Sequence, residues 1–248
     1  MVQIIEIKNK AKNARANPFL CRDSKGELYY VKNSKGAAFT SLCYEWIAGH
    51  LAKALELPIP DFTLAEVSDL LIDYSENPDV KTFFGAGTAF ASKNVENVQD
   101  VTWAQLQSID KNLKAEILFF DWIIQNIDRH LSDKGGNPNM LFNASAKQVY
   151  IIDHDNAFEM NFDFDEFWLE HPLKEAFKLW DDQFMAEKRK QLESFLLDLR
   201  EICNSIPEEW HFESKEIPSL ELSYERISSI IERCRTESFW RPTECMNR

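Results

Sequence analysis

The first third of the chain contains short runs of alternating or continuous apolar residues, a pattern that predicts β-strands. The predicted strands are Val2–Ile7, Pro18–Arg22, Glu27–Val31, Phe62–Val67 and Thr88–Ser92. Between the third and fourth of these runs, the segment Ala38–Leu55 has apolar residues at helical spacing, and Pro58 and Pro60 follow its end. This region is therefore predicted to fold as strands around a single helix.

In the rest of the chain the apolar positions recur mainly at the spacing of a helix. The strongly apolar segment Lys111–Asn126 is predicted to be helical, and a polar loop follows from Asp128 to Asn139. The remaining predicted elements are the short strands Met140–Phe142 and Val149–Ile152 and the helices Asp181–Asn204 and Ser223–Glu237. A polar loop thus separates a buried helix from a short hairpin.

This order of elements predicts an α+β fold class with two lobes. Residues 1–95 form the predicted N-terminal lobe, with strands and one helix, and residues 96–248 form the predicted C-terminal lobe, which is mostly helical. The polar loop falls where the two lobes would meet. Candidate chemistry is therefore expected in that loop and at the strand ends beside it.

The balance of acidic and basic residues argues against two classes of binding partner. The 248 residues include 41 acidic and 28 basic side chains, which give a net charge of −13 at pH 7. A surface of this charge repels nucleic acid backbones and anionic lipid, so neither direct nucleic acid binding nor membrane association is expected. A local basic pocket for a nucleotide remains compatible with this charge.

Cysteine usage and the start of the chain favour a cytoplasmic location. The five cysteines are odd in number and have no spacing typical of a zinc or redox motif, which favours reduced thiols. The first ten residues lack the long apolar core of a signal peptide, and no apolar run approaches the length of a membrane span. A cytoplasmic protein is therefore the expectation.

Three polar residues stand at the ends of buried elements in the second half. Asp128 comes just after the apolar helix, Asn139 opens one short strand, and Asp153 ends the strand that pairs with it. The hairpin should bring Asn139 and Asp153 together at the cleft end of two adjacent strands. Phosphoryl transfer requires such a set, because a carboxylate orients and deprotonates the attacking hydroxyl while oxygen ligands hold magnesium on the nucleotide phosphates.

Each of these positions also has an ordinary structural interpretation. Asp128 fits a turn or cap after the helix, and Asn137 and Asn139 fit turns beside a proline. Asp155 occupies a place where a tight turn often has glycine, which favours a turn role over a ligand role. His130 is interpreted as a structural residue that hydrogen-bonds the backbone, and the alternative is that it orients Asp128.

The first lobe is expected to supply a cation for the phosphates. Strand alternation places Lys32 on the same face as Leu28 and Tyr30, where it is poorly solvated unless it meets an anion. Glu45 is the only acidic residue in Ala38–Leu55, and its helical neighbours are small or apolar. We therefore expect Lys32 to pair with Glu45 and to face the α- and β-phosphates of a nucleotide. The alternative is an unrelated surface lysine and glutamate.

Taken together and in order, these segments resemble the HipA-like kinase domain proteins, a family near the HipA toxins and the phosphatidylinositol kinases. The matching segments are Tyr-Val-Lys32, the helix with Glu45 that ends Leu-Glu-Leu-Pro-Ile-Pro60, Asn126-Ile-Asp-Arg-His130, Asn137-Pro-Asn-Met-Leu141, Ile-Asp-His154 and Ile-Pro-Glu-Glu-Trp210. The resemblance runs from about residue 18 to residue 210, which is most of the chain.

The resemblance implies a bilobal protein-kinase-like fold and phosphotransfer from ATP with Mg²⁺, to serine or threonine of a protein substrate. By motif position, Lys32 matches the phosphate-contacting lysine and Glu45 matches its helix partner. Asp128 matches the catalytic aspartate, and Asn139 and Asp153 match the metal-binding residues. A regulatory, antitoxin-like partner is a further expectation from the family.

Other expectations follow from where the chain matches or departs from the family pattern. The segment Thr88–Val95 would contain the hinge that meets adenine. The loop from Asp128 to Asn139 is longer than the family's, and Ser132-Asp-Lys-Gly-Gly136 looks like an insertion that its glycines let bulge outward. The segment Ala11–Asn17 has no glycine where a phosphate loop is expected. The basic residues that could still attract phosphates there are Lys10, Lys12 and Arg15.

Two other functions stay open from the sequence. One is a small-molecule or lipid kinase on the same fold, although the acidic surface counts against a substrate in a lipid membrane. The other is a catalytically silent module that binds a nucleotide or a partner. The sequence does not separate these functions, because variable loops build the acceptor groove on a shared fold.

Overall fold

The computed structural model describes residues 1–11, 16–159, 161–211 and 220–240. Its strands are β1 Val2–Lys10, β2 Phe19–Asp23, β3 Leu28–Lys32, β4 Phe62–Val67, β5 Gly87–Lys93, β6 Val98–Asp100, β7 His130–Ser132, β8 Gly135–Asn137, β9 Met140–Asn143 and β10 Gln148–Ile151. Its α-helices are α1 Phe39–Ala54, α2 Asp69–Asp73, α3 Pro78–Phe83, α4 Trp103–Ser108, α5 Lys111–Ile124, α6 Phe164–Glu170, α7 Asp182–Asn204 and α8 Leu220–Glu232. The 3₁₀ helices are Lys174–Leu179, Glu208–His211, Arg233–Arg235 and Glu237–Trp240.

The N-terminal strands close into a five-stranded barrel in the order β1-β2-β3-β5-β4. Neighbouring strands are antiparallel, except that β1 and β4 pair in parallel through Val2 with Ala65 and Gln3 with Glu66. Alternate side chains point into the barrel, and Phe19, Cys21 and Val31 have no solvent exposure. The period-two pattern of these strands therefore produces a small, separate core.

Helix α1 packs between the barrel and the C-terminal helices. It contacts β5 on one side and α7 and the Glu208–His211 helix on the other. Its buried face includes Leu42, Ile47 and Leu51, which belong to the large core of the C-terminal part. The helix therefore has a fixed position relative to both regions.

The C-terminal part is built around α5, in which all residues from Ile117 to Ile124 are buried. The helix ends where Gln125 adopts a left-handed conformation with φ 52°. Helices α7 and α8 and the last 3₁₀ segments complete the large core around it. A β-rich N-terminal region and a mostly helical C-terminal part confirm the predicted α+β class.

The polar loop between Asp128 and Asn139 differs from its prediction. The structure contains an antiparallel pair, β7 with β8, in which His130 pairs with Asn137 and Ser132 pairs with Gly135. The segment is thus a tight hairpin, because two consecutive glycines with φ above 100° let the chain reverse there. Beside it, β6, β9 and β10 form a three-stranded sheet in the order β10-β9-β6.

Most predicted elements are present with shifts of a few residues at their ends. The sequence did not predict β6, α2, α3, α4 and α6, which have only three to seven residues each. The predicted helix Ser223–Glu237 is instead α8 followed by the 3₁₀ helix Arg233–Arg235. The lobe boundary at residue 95 stays a prediction. Among the described helices, none has the length and apolar character that crossing a bilayer requires.

Candidate active site

All five residues singled out by the sequence line one cleft of about 1390 Å³ between the barrel and the helical part. These residues are Lys32, Glu45, Asp128, Asn139 and Asp153. Lys32 ends β3, Glu45 lies on α1, and the other three lie at the ends of α5, β9 and β10. The fold therefore brings together residues that are up to 121 positions apart in the chain.

Lys32 is almost fully buried and contacts three carboxylates. Its Nζ donates to Glu45 Oε2 at 3.1 Å, to Asp153 Oδ1 at 2.6 Å and to Asp155 Oδ2 at 3.5 Å. The contact with Glu45 was predicted from the strand and helix patterns, and the structure contains it. The contact with Asp155 was not predicted, because that residue was interpreted as part of a turn.

Glu45 joins the barrel side of the cleft to the end of β10. Its Oε2 accepts both from Lys32 Nζ and from the backbone N–H of His154 at 3.0 Å. Helix α1 presents Glu45 to the cleft because the rest of its buried face is apolar and packs into the core. The position of α1 therefore sets the spacing between Lys32 and the segment that carries Asp153.

The charges in this cluster strongly perturb one another. Burial alone would lower the pKa of Lys32, but Asp153, Glu45 and Asp155 outweigh it and raise that pKa well above its ordinary value. Burial raises the pKa of Glu45 to about 7. Burial likewise raises the pKa of Asp155, whereas Lys32 overcomes burial at Asp153 and lowers that pKa. A single lysine thus does not neutralise all the carboxylates gathered around it.

The carboxylate oxygens of Glu45, Asp153 and Asp155 lie within 4.8 Å of one another. Hard divalent cations bind such oxygen ligands, and a cation there would balance the excess of carboxylates over lysine. Asp153, which contacts the lysine, adopts a left-handed conformation with φ 60° just after β10. The donor set therefore fits a divalent metal.

One carboxylate oxygen of Asp128 accepts hydrogen bonds from three side-chain amides. Asn137 and Asn139 donate to its Oδ2 at 3.1 Å each, and Asn156 donates to the same atom at 3.3 Å. Within the described part of the chain, Oδ1 accepts no hydrogen bond. The carboxylate is therefore held in one orientation with its second oxygen available to a ligand in the cleft.

The side-chain amide of Asn139 bridges Asp128 and Asp153. Its Nδ2 donates to Asp128 Oδ2 and lies 3.5 Å from the backbone oxygen of Asp153. Asn139 also has a left-handed conformation, with φ 44°, which asparagine adopts more readily than most residues. This conformation, together with the β9–β10 pairing, places its amide between Asp128 and Asp153.

A buried polar cluster lies behind the segment from Asp128 to Asn139, and the sequence interpretation missed it. It consists of Asp121, Asn126, Arg129 and His171 and is called the Asp121 cluster below. Arg129 and Asp121 are at most 1% exposed and form a two-pronged ion pair, with Nε–Oδ2 at 2.6 Å and Nη2–Oδ1 at 3.3 Å. The available signal was an aspartate inside an otherwise apolar helix, which requires a partner when buried.

The remaining contacts of Asp121 come from the other two members of the cluster. Asn126 Nδ2 donates to Oδ1 at 2.8 Å, and His171 Nε2 lies 3.0 Å from Oδ2. His171 Nδ1 accepts from the backbone N–H of Leu173, so its Nε2 carries the proton toward Asp121. Burial alone would raise the pKa of Asp121, but Arg129 and His171 hold it well below its usual range.

The other end of the cleft is apolar. The side chains that line it include Tyr30, Ile59, Phe90, Leu141 and Ile151. They come from the barrel, from the connection after α1 and from the β9–β10 hairpin, and they surround space that a flat ring could occupy. Residues 92–95, within the segment predicted to contain the adenine hinge, line the same end.

The basic residues expected near the phosphates are only partly within the described structure. Lys10 lines the cleft, and its Nζ lies 4.2 Å from the centre of the Phe83 ring. Lys12 and Arg15 lie outside the described residues. Lys32 is therefore the cation of this cleft whose carboxylate contacts are defined in the structure.

Comparisons with known proteins agree on one kind of fold. A family model described as HipA-like kinase matches residues 4–243. Among solved structures, a Helicobacter pylori proinflammatory kinase, CtkA, has a TM-score of 0.54 and 14% identity, covering 98% of this chain and 96% of its own. This similarity shows the fold. A comparison with curated proteins gives no match.

Two structures of a Golgi casein kinase are also similar. One has a TM-score of 0.49 and 13% identity and covers 96% of this chain and 75% of its own. The other, described with Mn/ADP bound, has a TM-score of 0.45 and 15% identity and covers 96% and 73%.

Proposed function

Because this chain belongs to the HipA-like kinase family, and is thus a kinase, we propose that it transfers the terminal phosphoryl group of ATP to an alcohol acceptor with Mg²⁺. The acceptor proposed is a serine or threonine hydroxyl of a protein. The nucleotide would lie in the cleft, with its adenine at the apolar end and its phosphates beside Lys32. Family membership supports the reaction class, and the site geometry supports the division of roles.

The observation that carries the proposal is the gathering of three carboxylates around one buried lysine. Polyphosphate would add further negative charge to this cluster, so it can enter only with a compensating cation. Glu45, Asp153 and Asp155 supply oxygens in one place, and the Asn139 side chain lies beside them. Of these, Asp153 and Asn139 are the proposed ligands of Mg²⁺, which prefers oxygen atoms and shares its coordination with phosphate.

Asp128 is the proposed catalytic residue. Its Oδ2 is held by three amides, so its Oδ1 can accept the proton of an acceptor hydroxyl. As the hydroxyl oxygen bonds to the γ-phosphorus, the bond from that phosphorus to the bridging oxygen of ADP breaks. Bound metal would offset the charge that collects on the ADP side. Asp128 then holds the proton that the acceptor has lost.

Lys32 is the proposed contact for the α- and β-phosphates, and Glu45 is its positioning partner. The 3.1 Å contact between them would keep the ammonium group in the cleft if Asp153 held the metal. Asp155, which also contacts Lys32, would have to release it to the phosphates. The lysine would therefore exchange carboxylate partners for phosphate oxygens.

The acceptor, the cellular location and the partner are the finer parts of this proposal. Family resemblance supports a protein substrate and an antitoxin-like regulatory partner, and the cysteine usage supports a cytoplasmic location. The net charge of −13 supports the proposal that the protein does not bind nucleic acid directly. A small-molecule acceptor remains the second candidate, because the cleft, which Asp128 also lines, is larger than one nucleotide needs.

The test separates binding from transfer. Nucleotide affinity is measured by calorimetry with ATP in Mg²⁺ and in EDTA, and transfer is followed with labelled ATP and cell lysate. Asp153→Asn should abolish the gain in affinity that Mg²⁺ provides, because it removes a charged ligand. Asp128→Asn should bind within about twofold of wild type but lose transfer by about 10²–10⁴-fold.

Asp133→Asn, an exposed change on the β7–β8 hairpin, is the matched control and should match wild type in both measurements. Labelled protein bands would support the protein acceptor, and labelled small molecules would support the second candidate. Equal defects of Asp153→Asn and Asp128→Asn in both binding and transfer would contradict the proposed roles.

A further inference from the structure

Two separate chains of hydrogen bonds, called arms below, connect the Asp121 cluster to the active site. Asp121 itself lies in the middle of the cluster on α5, and among the described residues its carboxylate hydrogen-bonds none that lines the cleft. Its partners Arg129 and Asn126 flank Asp128 in sequence and extend in different directions. Each arm ends on backbone atoms of a residue proposed to act on the metal or on the acceptor.

The first arm runs through Arg129 to the metal side. Its Nη1 donates to the backbone oxygen of Pro138 at 2.9 Å and to that of Asn139 at 2.7 Å. The oxygen of Asn139 also accepts from the N–H of Ile152 at 3.0 Å. Two donors thus fix the peptide of a residue whose φ of 44° is uncommon, and they determine where its side-chain amide points.

The second arm runs through Asn126 to the acceptor side. Its Nδ2 donates to Asp121, and its Oδ1 accepts from the backbone N–H of Asp128 at 3.1 Å. Asn126 has no solvent exposure, so its amide has a fixed orientation that is set by Asp121. The start of the hairpin is therefore held by one arm and its end by the other.

We infer that Asp121 is a positioning residue that sets metal binding through Arg129 and proton transfer through Asn126. The inference rests on the proposed function, because it assumes the roles of Asn139 and Asp128. The two arms share the carboxylate of Asp121, whose two oxygens accept four hydrogen bonds. Loss of one arm should therefore affect one step, and loss of Asp121 should affect both.

The chemistry of the cluster favours this interpretation over a purely structural one. A buried ion pair contributes little net stability, since apolar side chains of similar size often stabilise a core equally well. The guanidinium group supplies something that apolar groups cannot, which is a rigid fork that joins a carboxylate to two carbonyl oxygens. That geometry is useful where a loop must be held in one conformation.

The experiment measures the Mg²⁺ concentration for half-maximal binding of fluorescent ADP. It also measures kcat for phosphoryl transfer from labelled ATP. Arg129→Lys keeps the charge but cannot reproduce the fork, and it should raise that Mg²⁺ concentration about 10–100-fold, as loss of a contact behind a metal ligand does. Asn126→Ala should leave the half-maximal Mg²⁺ concentration within about twofold of wild type. It should lower kcat at saturating Mg²⁺ at least about tenfold. Asp121→Asn should show both effects.

The matched control is Lys188→Gln, which breaks an ion pair between α7 and α5. Lys188 is 2% exposed and its Nζ contacts Glu116 Oε2, and neither residue lines the cleft. The control should lower the melting temperature as Arg129→Lys does, while keeping the Mg²⁺ requirement and kcat of wild type. If Arg129→Lys shows only that thermal effect, the positioning role is overturned.

Three further outcomes are decisive. If Arg129→Lys does not fold, Asp121→Asn provides the same decision, because it keeps the shape of the carboxylate and weakens both arms. If wild type binds ADP with no dependence on Mg²⁺, the proposed function fails as well. If wild type shows that dependence and both variants behave like Lys188→Gln, the positioning role fails while the proposed function stands.

Discussion

His154 lies between the two acidic residues of the β10 end and is completely enclosed. Its ring packs edge-on against Phe120, and within the described residues neither ring nitrogen has a hydrogen-bond partner. Burial lowers the pKa of His154 to about 3. The imidazole therefore stays neutral in the folded protein and acts as an apolar spacer, while its backbone N–H serves Glu45.

This environment predicts an acid-dependent loss of stability. The unfolded chain binds a proton on His154 below about pH 6.5, whereas the folded protein does so only near pH 3, so stability from this group is lost as the pH falls between these values. His154→Leu should reduce the slope of unfolding free energy against pH by about 1.4 kcal/mol per unit between pH 6 and pH 4.

Urea denaturation at a series of pH values measures this slope. His130→Leu, which makes the same replacement at an exposed position, is the control for the substitution. Parallel curves for wild type and His154→Leu would show that His154 takes up its proton equally well in the folded protein.

At the scale of elements, the β7–β8 hairpin is the part of the site most sensitive to backbone shape. A Cβ added to Gly136 would lie 2.5 Å from the backbone oxygen of His130, and Gly136 has φ 149°. A Cβ on the adjacent Gly135 would meet no atom within 4 Å, although its φ is 107°. The hairpin ends at Asn137, which donates to Asp128, so its closure bears directly on the carboxylate that is proposed to be catalytic.

We therefore predict that Gly136→Ala and Gly135→Ala cause similar backbone strain but differ in their effect on phosphoryl transfer. Each should lower the unfolding free energy by about 1–3 kcal/mol, because alanine is strained at these φ angles. Only Gly136→Ala should also reduce kcat, since its Cβ must push β7 and β8 apart and move Asn137 from Asp128. Thermal denaturation and transfer kinetics on both variants check this, and equal kcat values would contradict it.

At the scale of the whole molecule, the Glu208–His211 helix links the C-terminal part to the barrel. Trp210 is 2% exposed, and its Nε1 donates to the backbone oxygen of Thr88 on β5 at 3.1 Å. The backbone oxygen of Trp210 accepts from Cys43 on α1 at 3.9 Å. Glu209 adds a bond from the Thr88 N–H to its Oε1 at 2.5 Å. One short segment thus fixes β5 and α1 together.

We predict that Trp210→Ala destabilises both regions at once. Removal of a buried tryptophan should cost about 3–5 kcal/mol, whereas the partly exposed Trp103→Ala should cost about 1 kcal/mol or less. Hydrogen exchange measured by mass spectrometry should show faster exchange in the barrel strands and in α5 alike. Faster exchange confined to α5 would contradict the proposed link between the regions.

The sequence by itself determined the order of elements and the kinds of residue at the site. Strand and helix periodicity depends on neighbours within a few positions, so the barrel strands, α1, α5 and α7 could be predicted. The pairing of Lys32 with Glu45 could also be predicted, because each is a lone charge on an otherwise apolar surface of its element. The roles assigned to Asp128, Asn139 and Asp153 follow from motif order and stay predictions.

Only the tertiary structure decided how these groups share their charges and which residues support them. Asp155 contacts Lys32 across 123 positions, and Arg129 reaches Asp121 and the backbone of Asn139 at once. The polar 128–139 segment forms a hairpin that contains two glycines, and the last residue of its second strand donates a hydrogen bond to Asp128. Contacts of this kind depend on the relative position of whole elements, which no local pattern of the chain records.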